Sequence, residues 1–247
     1  MRIAALFDIH GNLPALEAVL ADLRSAQVDC IVVGGDIVPG PMPREVLTAL
    51  IDCGLPLHFI HGNCESEALA EWDGHDSGLP AQFRESVRWC AGQLFPAHER
   101  FIRDWPLTLR LTSDLGEVLF CHATPRNDNE IFTVQTPESS LVPLFETLGV
   151  SLVVCGHTHM QFDRRIGSVR VLNAGSVGMP FGRPGAFWLL LSETAELRCT
   201  HYDHSAAADR IQSTAYPQAG YFAQHFVLQR PTESEMLAAY AKAELKG

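Results

Sequence analysis

An α/β fold is what this sequence predicts, and three observations predict it. Short apolar runs alternate with amphipathic stretches through the first third of the chain. Six further strand-like runs follow between residues 108 and 203, and helices close the chain. The ends of several runs carry aspartate, asparagine or histidine next to glycine, where a strand hands over to a loop. With 247 residues, 47% of them apolar, the chain can bury one large core, and we read it as a single domain spanning 1–247.

RIAALF (2–7) is a short buried-strand pattern, and LPALEAVLADLRSA (13–26) has apolar residues at helical spacing. CIVVGGD (30–36) is again strand-like, PREVLTALIDC (43–53) is helical, and LPLHFI (55–60) is a third strand. A βαβα opening of this kind starts a parallel sheet. Residues 65–105 are charge-mixed and helix-rich, with punctuation near Gly78 and Pro80, and are expected to form a lid or insertion beside the sheet. TLRLT, EVLFCH, SLVVCGH, VRVLNAG, AFWLLLS and ELRCTHYD then read as a second, more mixed sheet. A helical extension over 205–247 follows, in which Thr232 and Glu235 have the spacing of a capping box.

The formal charge of −11 and pI near 5.4 set aside nucleic acid and membrane surfaces as partners, because both are anionic. Seven scattered cysteines, none in a CxxC pair, fit reduced thiols better than a disulfide framework. Met1-Arg2 runs straight into the first strand, and no apolar run approaches membrane-spanning length. The expectation is a soluble cytoplasmic protein.

The strand ends carry the chemistry. Asp8 and His10 stand two apart after the first strand, where both side chains can share a face. Asp36 ends the second, Asn63 follows the third, His122 follows EVLFC, and His157 and His159 follow SLVVC. These are oxygen and imidazole donors, suited to manganese, iron, zinc or nickel and unlike the thiolate-rich sites of structural zinc. A neutral amide at Asn63 keeps the site positive enough to attract an anion.

In order, these blocks stand as Asp8-x-His10, Gly35-Asp36, Gly62-Asn63-Cys64-Glu65, His122 and Gly156-His157-x-His159. The chain thereby resembles the calcineurin-like metallophosphoesterase superfamily from Met1 to about Leu191. The resemblance implies a four-layer αββα sandwich with two mixed sheets and a dinuclear metal site at the strand ends. It also implies that Asp8, His10 and His159 hold one metal, that Asn63, His122 and His157 hold the other, and that Asp36 bridges them. The catalytic nucleophile would be a hydroxide shared by the metals, with no side chain in that role.

Cys64 takes the place of the histidine that many members carry in GNH and that is assigned to the leaving group. Small bacterial and archaeal phosphodiesterases of the superfamily often have GNC, so the resemblance favours a phosphodiesterase acting on a small or nucleotide-like ester. A thiol, with a reference pKa near 8.5, is a weak proton donor at neutral pH, and substrates with good leaving groups need protonation least. His61 or His75 is an alternative donor if the inserted segment folds over the metals. A phosphomonoesterase or protein phosphatase, or a non-catalytic scaffold such as the retromer subunit of the same superfamily, is the alternative on this fold. A metal-dependent amidohydrolase would place its HxH pair after the first strand, whereas here it comes fifth.

Two further residues are candidates for substrate contact. Asn12 either caps the helix that begins beside it or reaches ligand or phosphate. Arg183, in NAGSVGMPFGRPGA (173–186), either meets a phosphate or nucleotide or is a solvated loop arginine. His58, His61, His75, His98, His201, His204 and His225 have no ligand spacing that fits the five blocks, and HYDH (201–204) is only superficially metal-like.

Overall fold

The structure, a computed structural model, describes residues 1–245. Two five-stranded sheets pack face to face with helices on both outer sides, which is the four-layer αββα sandwich. The first sheet has the order β10-β9-β1-β2-β3 and the second β4-β5-β6-β8-β7. In the first, β1 (Ile3–Leu6), β2 (Cys30–Val33) and β3 (Leu57–Phe59) run parallel, joined by α1 (Leu13–Ala26) and α2 (Pro43–Ile51). In the second, β5 (Gly116–Cys121), β6 (Leu152–Cys155) and β8 (Val169–Asn173) are parallel. β4 (Thr108–Ser113) and β7 (Phe162–Ile166) are its antiparallel edges.

The layers follow from the two-residue alternation of strand side chains. Ile3, Ala5 and Phe7 point into the core between the sheets, with Val32, Phe120, Val154 and Leu172. Ala4 and Leu6 point the other way, toward Leu16, Val19 and Val46 of α1 and α2. On the far side of the second sheet, Leu119, Val153 and Val171 pack against Leu141 and Phe145 of α6 (Glu138–Phe145).

AFWLLLS and ELRCTHYD do not belong to the second sheet. They are β9 (Ala186–Leu191) and β10 (Ala195–Thr200), and β9 pairs antiparallel with β1 in the first sheet. Every residue of β9 is buried, so it needs cover on both faces, and the slot beside β1 supplies it. The sequence reading also passed over β7, because FDRRI puts three charged residues between its two buried ends, Phe162 and Ile166.

Residues within 65–105 form most of α3 (Asn63–Trp72), then α4 (Ala81–Gln93) and α5 (Pro96–Arg103). Their Ala68, Val87, Cys90, Leu94 and Ile102 join the same apolar cluster as Leu16 and Val46. The C-terminal stretch holds α7 (His204–Gln212), α8 (Ala219–Phe222) running into a π-helical turn (Ala223–Leu228), and α9 (Glu233–Tyr240). Thr232 Oγ1 accepts from the Glu235 backbone N–H at 3.2 Å while Glu235 Oε2 accepts from the Thr232 N–H at 2.8 Å, which is the capping box. Residues 246–247 of the expected extension lie outside the described residues. All seven cysteines are free thiols. Among the described residues, no helix is long and apolar enough to cross a membrane.

Candidate metal centre

The site is built where the carboxyl ends of β1, β2 and β3 in one sheet meet those of β5 and β6 in the other. Apolar strand segments carry the chain to this edge, and glycines let the loops close on one another. A Cβ on Gly35 would come within 2.9 Å of His122 Nδ1, and one on Gly156 within 2.6 Å of Asp8 Oδ2. Asp8, His10, Asp36, His157 and His159 all have positive φ, between 45° and 66°. Left-handed backbone costs a non-glycine residue on the order of 1–3 kcal/mol and persists only where surrounding contacts impose it. Five of the seven expected ligands carry that strain.

The side chains converge in two separate groups and a third that links them. Asp8, His10 and His159 present one donor atom each within 4.8 Å of one another, as do Asp36, His122 and His157, and as do His10, Asp36 and Cys64. His10 Nε2 lies 3.7 Å from Asp36 Oδ2 and His122 Nε2 3.5 Å from Asp36 Oδ1, so Asp36 reaches both groups. His122 Nδ1–H donates to Gly34 O at 2.8 Å, and His159 Nδ1–H donates to Met179 O at 2.7 Å. Each bond turns Nε2 toward the carboxylates, and His159 Nε2 also lies 3.2 Å from His10 Nε2. Asp8 Oδ2 accepts from the His157 N–H at 2.9 Å, while Asp8 Oδ1 and His122 Nε2 are buried with no hydrogen-bond partner.

Asn63 completes the sequence-predicted set. Its Nδ2 donates to Glu67 Oε1 at 3.3 Å, which turns the amide so that Oδ1 is the free end, and this oxygen too is buried and unpartnered. Cys64 does more than pack. Its N–H donates to Asp36 Oδ1 at 3.0 Å and its Sγ–H to Oδ2 at 3.1 Å, so both carboxylate oxygens of the expected bridge are held from the first turn of α3.

Sequence reasoning missed Glu65 as a positioning residue. Fully buried, its carboxylate accepts from the N–H groups of Asp36 at 2.7 Å, Ile37 at 2.8 Å, Val38 at 3.3 Å and Gly62 at 2.9 Å. A glutamate three residues into a glycine-led helix start is the one available signal, and it reads as an ordinary cap. Glu67, beside Asn63, was also missed.

The other candidates have different occupations. Asn12 is the α1 cap: Oδ1 accepts from the Ala15 N–H at 3.2 Å and Nδ2 donates to Gly178 O at 2.8 Å, leaving no free end for phosphate. Arg183 is exposed, with its guanidinium 5.3 Å from the centroid of the Phe187 ring, so the solvated alternative describes it. His61 Nε2 is bonded to Ile102 O at 2.8 Å, and His75 is exposed; neither ring joins the two groups. In HYDH, Asp203 caps α7 by accepting from the Ala206 N–H at 3.0 Å.

Burial sets the charge states. It pushes His10 and His157 down to about 4, so both rings are neutral and ready to ligate near pH 7. Burial opposes charge on His122 as well, but the Asp36 and Asp8 carboxylates outweigh it and push that ring up to about 10. His159 is raised by Asp8 in the same way, against burial. Asp36 is lowered despite burial because His122 and His10 stand against it. Burial, with Asp36 close by, pushes Glu65 up to about 8 and Glu67 up to about 7, and lifts the Cys64 thiol well above its ordinary value. Oxygen and imidazole donors, three of them without a hydrogen bond, fit a pair of borderline divalent cations once His122 gives up its proton.

Comparison with known proteins agrees with this geometry. The family model for the calcineurin-like phosphoesterase superfamily domain matches residues 1–195. An uncharacterised protein of Methanocaldococcus jannaschii is 26% identical over 245 residues, which covers 87% of this chain and 94% of that protein. The crystal structure of a hypothetical protein from Pyrococcus horikoshii OT3 shares the fold with a TM-score of 0.77 at 21% identity, over 90% of this chain and 97% of that one. A metallophosphoesterase from Sphaerobacter thermophilus does so with a TM-score of 0.72 at 24% identity, over the same shares.

Glu65→Ala strips the acceptor from four backbone donors and should cost about 3 kcal/mol or more in chemical denaturation. A loss under about 0.5 kcal/mol would show that other contacts hold the two loops. Metal must displace the proton that His122 keeps up to about pH 10, so manganese affinity should climb steadily as pH rises from about 6.5 toward 10. Calorimetry in buffers of different ionisation enthalpy measures the protons released; binding that is pH-independent and releases none would remove His122 from the ligand set.

Proposed function

We propose, from the premise that this chain belongs to the calcineurin-like phosphoesterase superfamily, that it is a metal-dependent phosphodiesterase acting on a small or nucleotide-like ester. The observation that carries the reading is the convergence of buried donors, among which Asp8 Oδ1, Asn63 Oδ1 and His122 Nε2 make no hydrogen bond, Asp8 Oδ1 and His122 Nε2 facing each other only as an ion pair at 3.8 Å. Folded proteins leave few buried polar atoms unsatisfied, and three together argue for a ligand. Asp8, His10 and His159 would hold one divalent cation, Asn63, His122 and His157 a second, and Asp36 would bridge them. Bound there, the cations supply a nucleophile at neutral pH and charge compensation for the phosphoryl oxygens.

The chain's own part is orientation. Gly34 O and Met179 O fix the ring faces of His122 and His159, Glu67 fixes the Asn63 amide, and Cys64 with Glu65 fixes Asp36. The preference for a diester rests on Cys64. A buried thiol beside a carboxylate keeps its proton and gives it up reluctantly, and His61 and His75 are engaged or exposed elsewhere. A substrate whose leaving group departs with little protonation suits such a site. A scaffold without catalysis is disfavoured because it has no use for strain at five ligand positions.

Asp36→Ala or His157→Ala should abolish manganese-dependent hydrolysis of an aryl phosphodiester; either variant turning over at the wild-type rate would sink the assignment. Cys64→Ala should lower the rate by less than about tenfold, whereas losing a general acid typically costs about 10²–10⁴. Cys64→His should raise the rate on a phosphomonoester relative to the diester. An unchanged ratio would mean that the residue at 64 does not govern the leaving group.

A further inference from the structure

We infer that the substrate is a singly charged phosphodiester bearing an uncharged aromatic group, and that this group sits in a ring-lined cavity opening off the metal centre. The inference rests on the phosphoesterase reading and names the substrate class for that site. The cavity holds about 330 Å³, the lower end of what small-molecule sites enclose. His10 and Cys64 line one end, and both lie against Asp36, so an ester whose phosphate is at the centre projects its substituent directly into this space.

The far walls come from two segments distant in sequence. α4 contributes Phe83 and Val87, and the C-terminal stretch contributes Tyr216, Tyr221, Phe222 and Phe226. The last four form a continuous ladder of rings: centroids are 6.3 Å apart for Tyr216–Phe222, 5.5 Å for Phe222–Phe226 and 5.9 Å for Phe226–Tyr221. Phe222 and Tyr216 are buried and form a rigid floor. Phe83 and Tyr221, by contrast, are 50% and 56% exposed at the rim, apolar surface that core packing does not account for. Phe226 belongs to the π-helical turn, a distortion that recurs at functional sites.

Charge excludes the other obvious occupants. No lysine or arginine is among the residues lining this cavity, and the acidic side chain there, Glu67, faces whatever enters. A second phosphate would find no cation among these residues to hold it. Flat apolar groups gain instead from ring contacts and area burial. The ring ladder lies beyond residue 195, where the match to the family model ends.

Calorimetric titration of the manganese-loaded protein with dimethyl phosphate, diphenyl phosphate and the symmetrical diphenyl ester of diphosphate, with released phenol assayed in each sample so that heat from any turnover is subtracted, tests the inference. Diphenyl phosphate should bind at least about 30-fold more tightly than dimethyl phosphate, as burial of an aromatic ring implies. The diphosphate ester should bind more weakly than diphenyl phosphate. Phe83→Ala and Tyr221→Ala, which alter exposed rim residues and should melt as wild type does, should each cut the aromatic preference by about five- to tenfold. Equal binding of the two monophosphates, tighter binding of the diphosphate ester, or a preference unchanged in both variants would overturn the inference. Hydrolysis of bis(p-nitrophenyl) phosphate is followed in parallel: its absence beside an intact binding preference would count against the phosphodiesterase reading alone.

Discussion

The Glu65 carboxylate gathers four backbone N–H groups, three from the loop that leaves β2 and one from the turn that leaves β3, and the geometry of the whole centre hangs on that junction. It pulls Asp36 against the start of α3, where the Cys64 N–H and thiol take hold of its two oxygens. Asp36 then faces His10 on one side and His122 on the other, and so lies between the two donor groups. A buried acceptor with four donors is hard to replace, because each donor left alone carries its own desolvation cost. The same carboxyl sits where burial raises its pKa to about 8, so these N–H groups also oppose its protonation.

Around that junction the protein tolerates two kinds of unfavourable arrangement. Backbone strain is held at Asp8, His10, Asp36, His157 and His159, and buried atoms of Asp8, Asn63 and His122 lack partners. Both concentrate at one edge of the sandwich, while the interior between the sheets is an uninterrupted apolar layer of Ile3, Phe7, Phe120, Val154 and Leu172. The well-packed layers supply the stability that lets the edge stay strained and ready for ions. Carboxylates and imidazoles there hold one another in mutually shifted charge states.

The α4 helix and the C-terminal stretch line one cavity together with His10 and Cys64. Their rings enclose space beside the phosphate position without adding positive charge. A protein of net charge −11 thus confines its attraction for anions to the cation-binding edge and offers apolar contact next to it.

Much of this was legible in the sequence, because the signals concerned are local. The periodicity of RIAALF, CIVVGGD, EVLFCH and SLVVCGH predicted strands, and the structure brings together six donors at their ends, Asp8, His10, Asp36, His122, His157 and His159. Other features had no local signal. AFWLLLS reads as a buried strand but does not say which sheet it joins, and FDRRI looks like a charged loop until its two buried ends are seen. Asn12 and Arg183 stood between two readings each, and only their partners, Gly178 O and the Phe187 ring, decided them. Cys64 and Glu65 acquired roles through Asp36, 28 and 29 residues away. By itself the sequence determined which chemistry the strand ends carry, since residue type and its position in a strand are properties of a few neighbouring residues. Tertiary structure alone decided how those groups are oriented and what encloses the space beside them, since hydrogen bonds and ring contacts between distant segments exist only once the layers have packed.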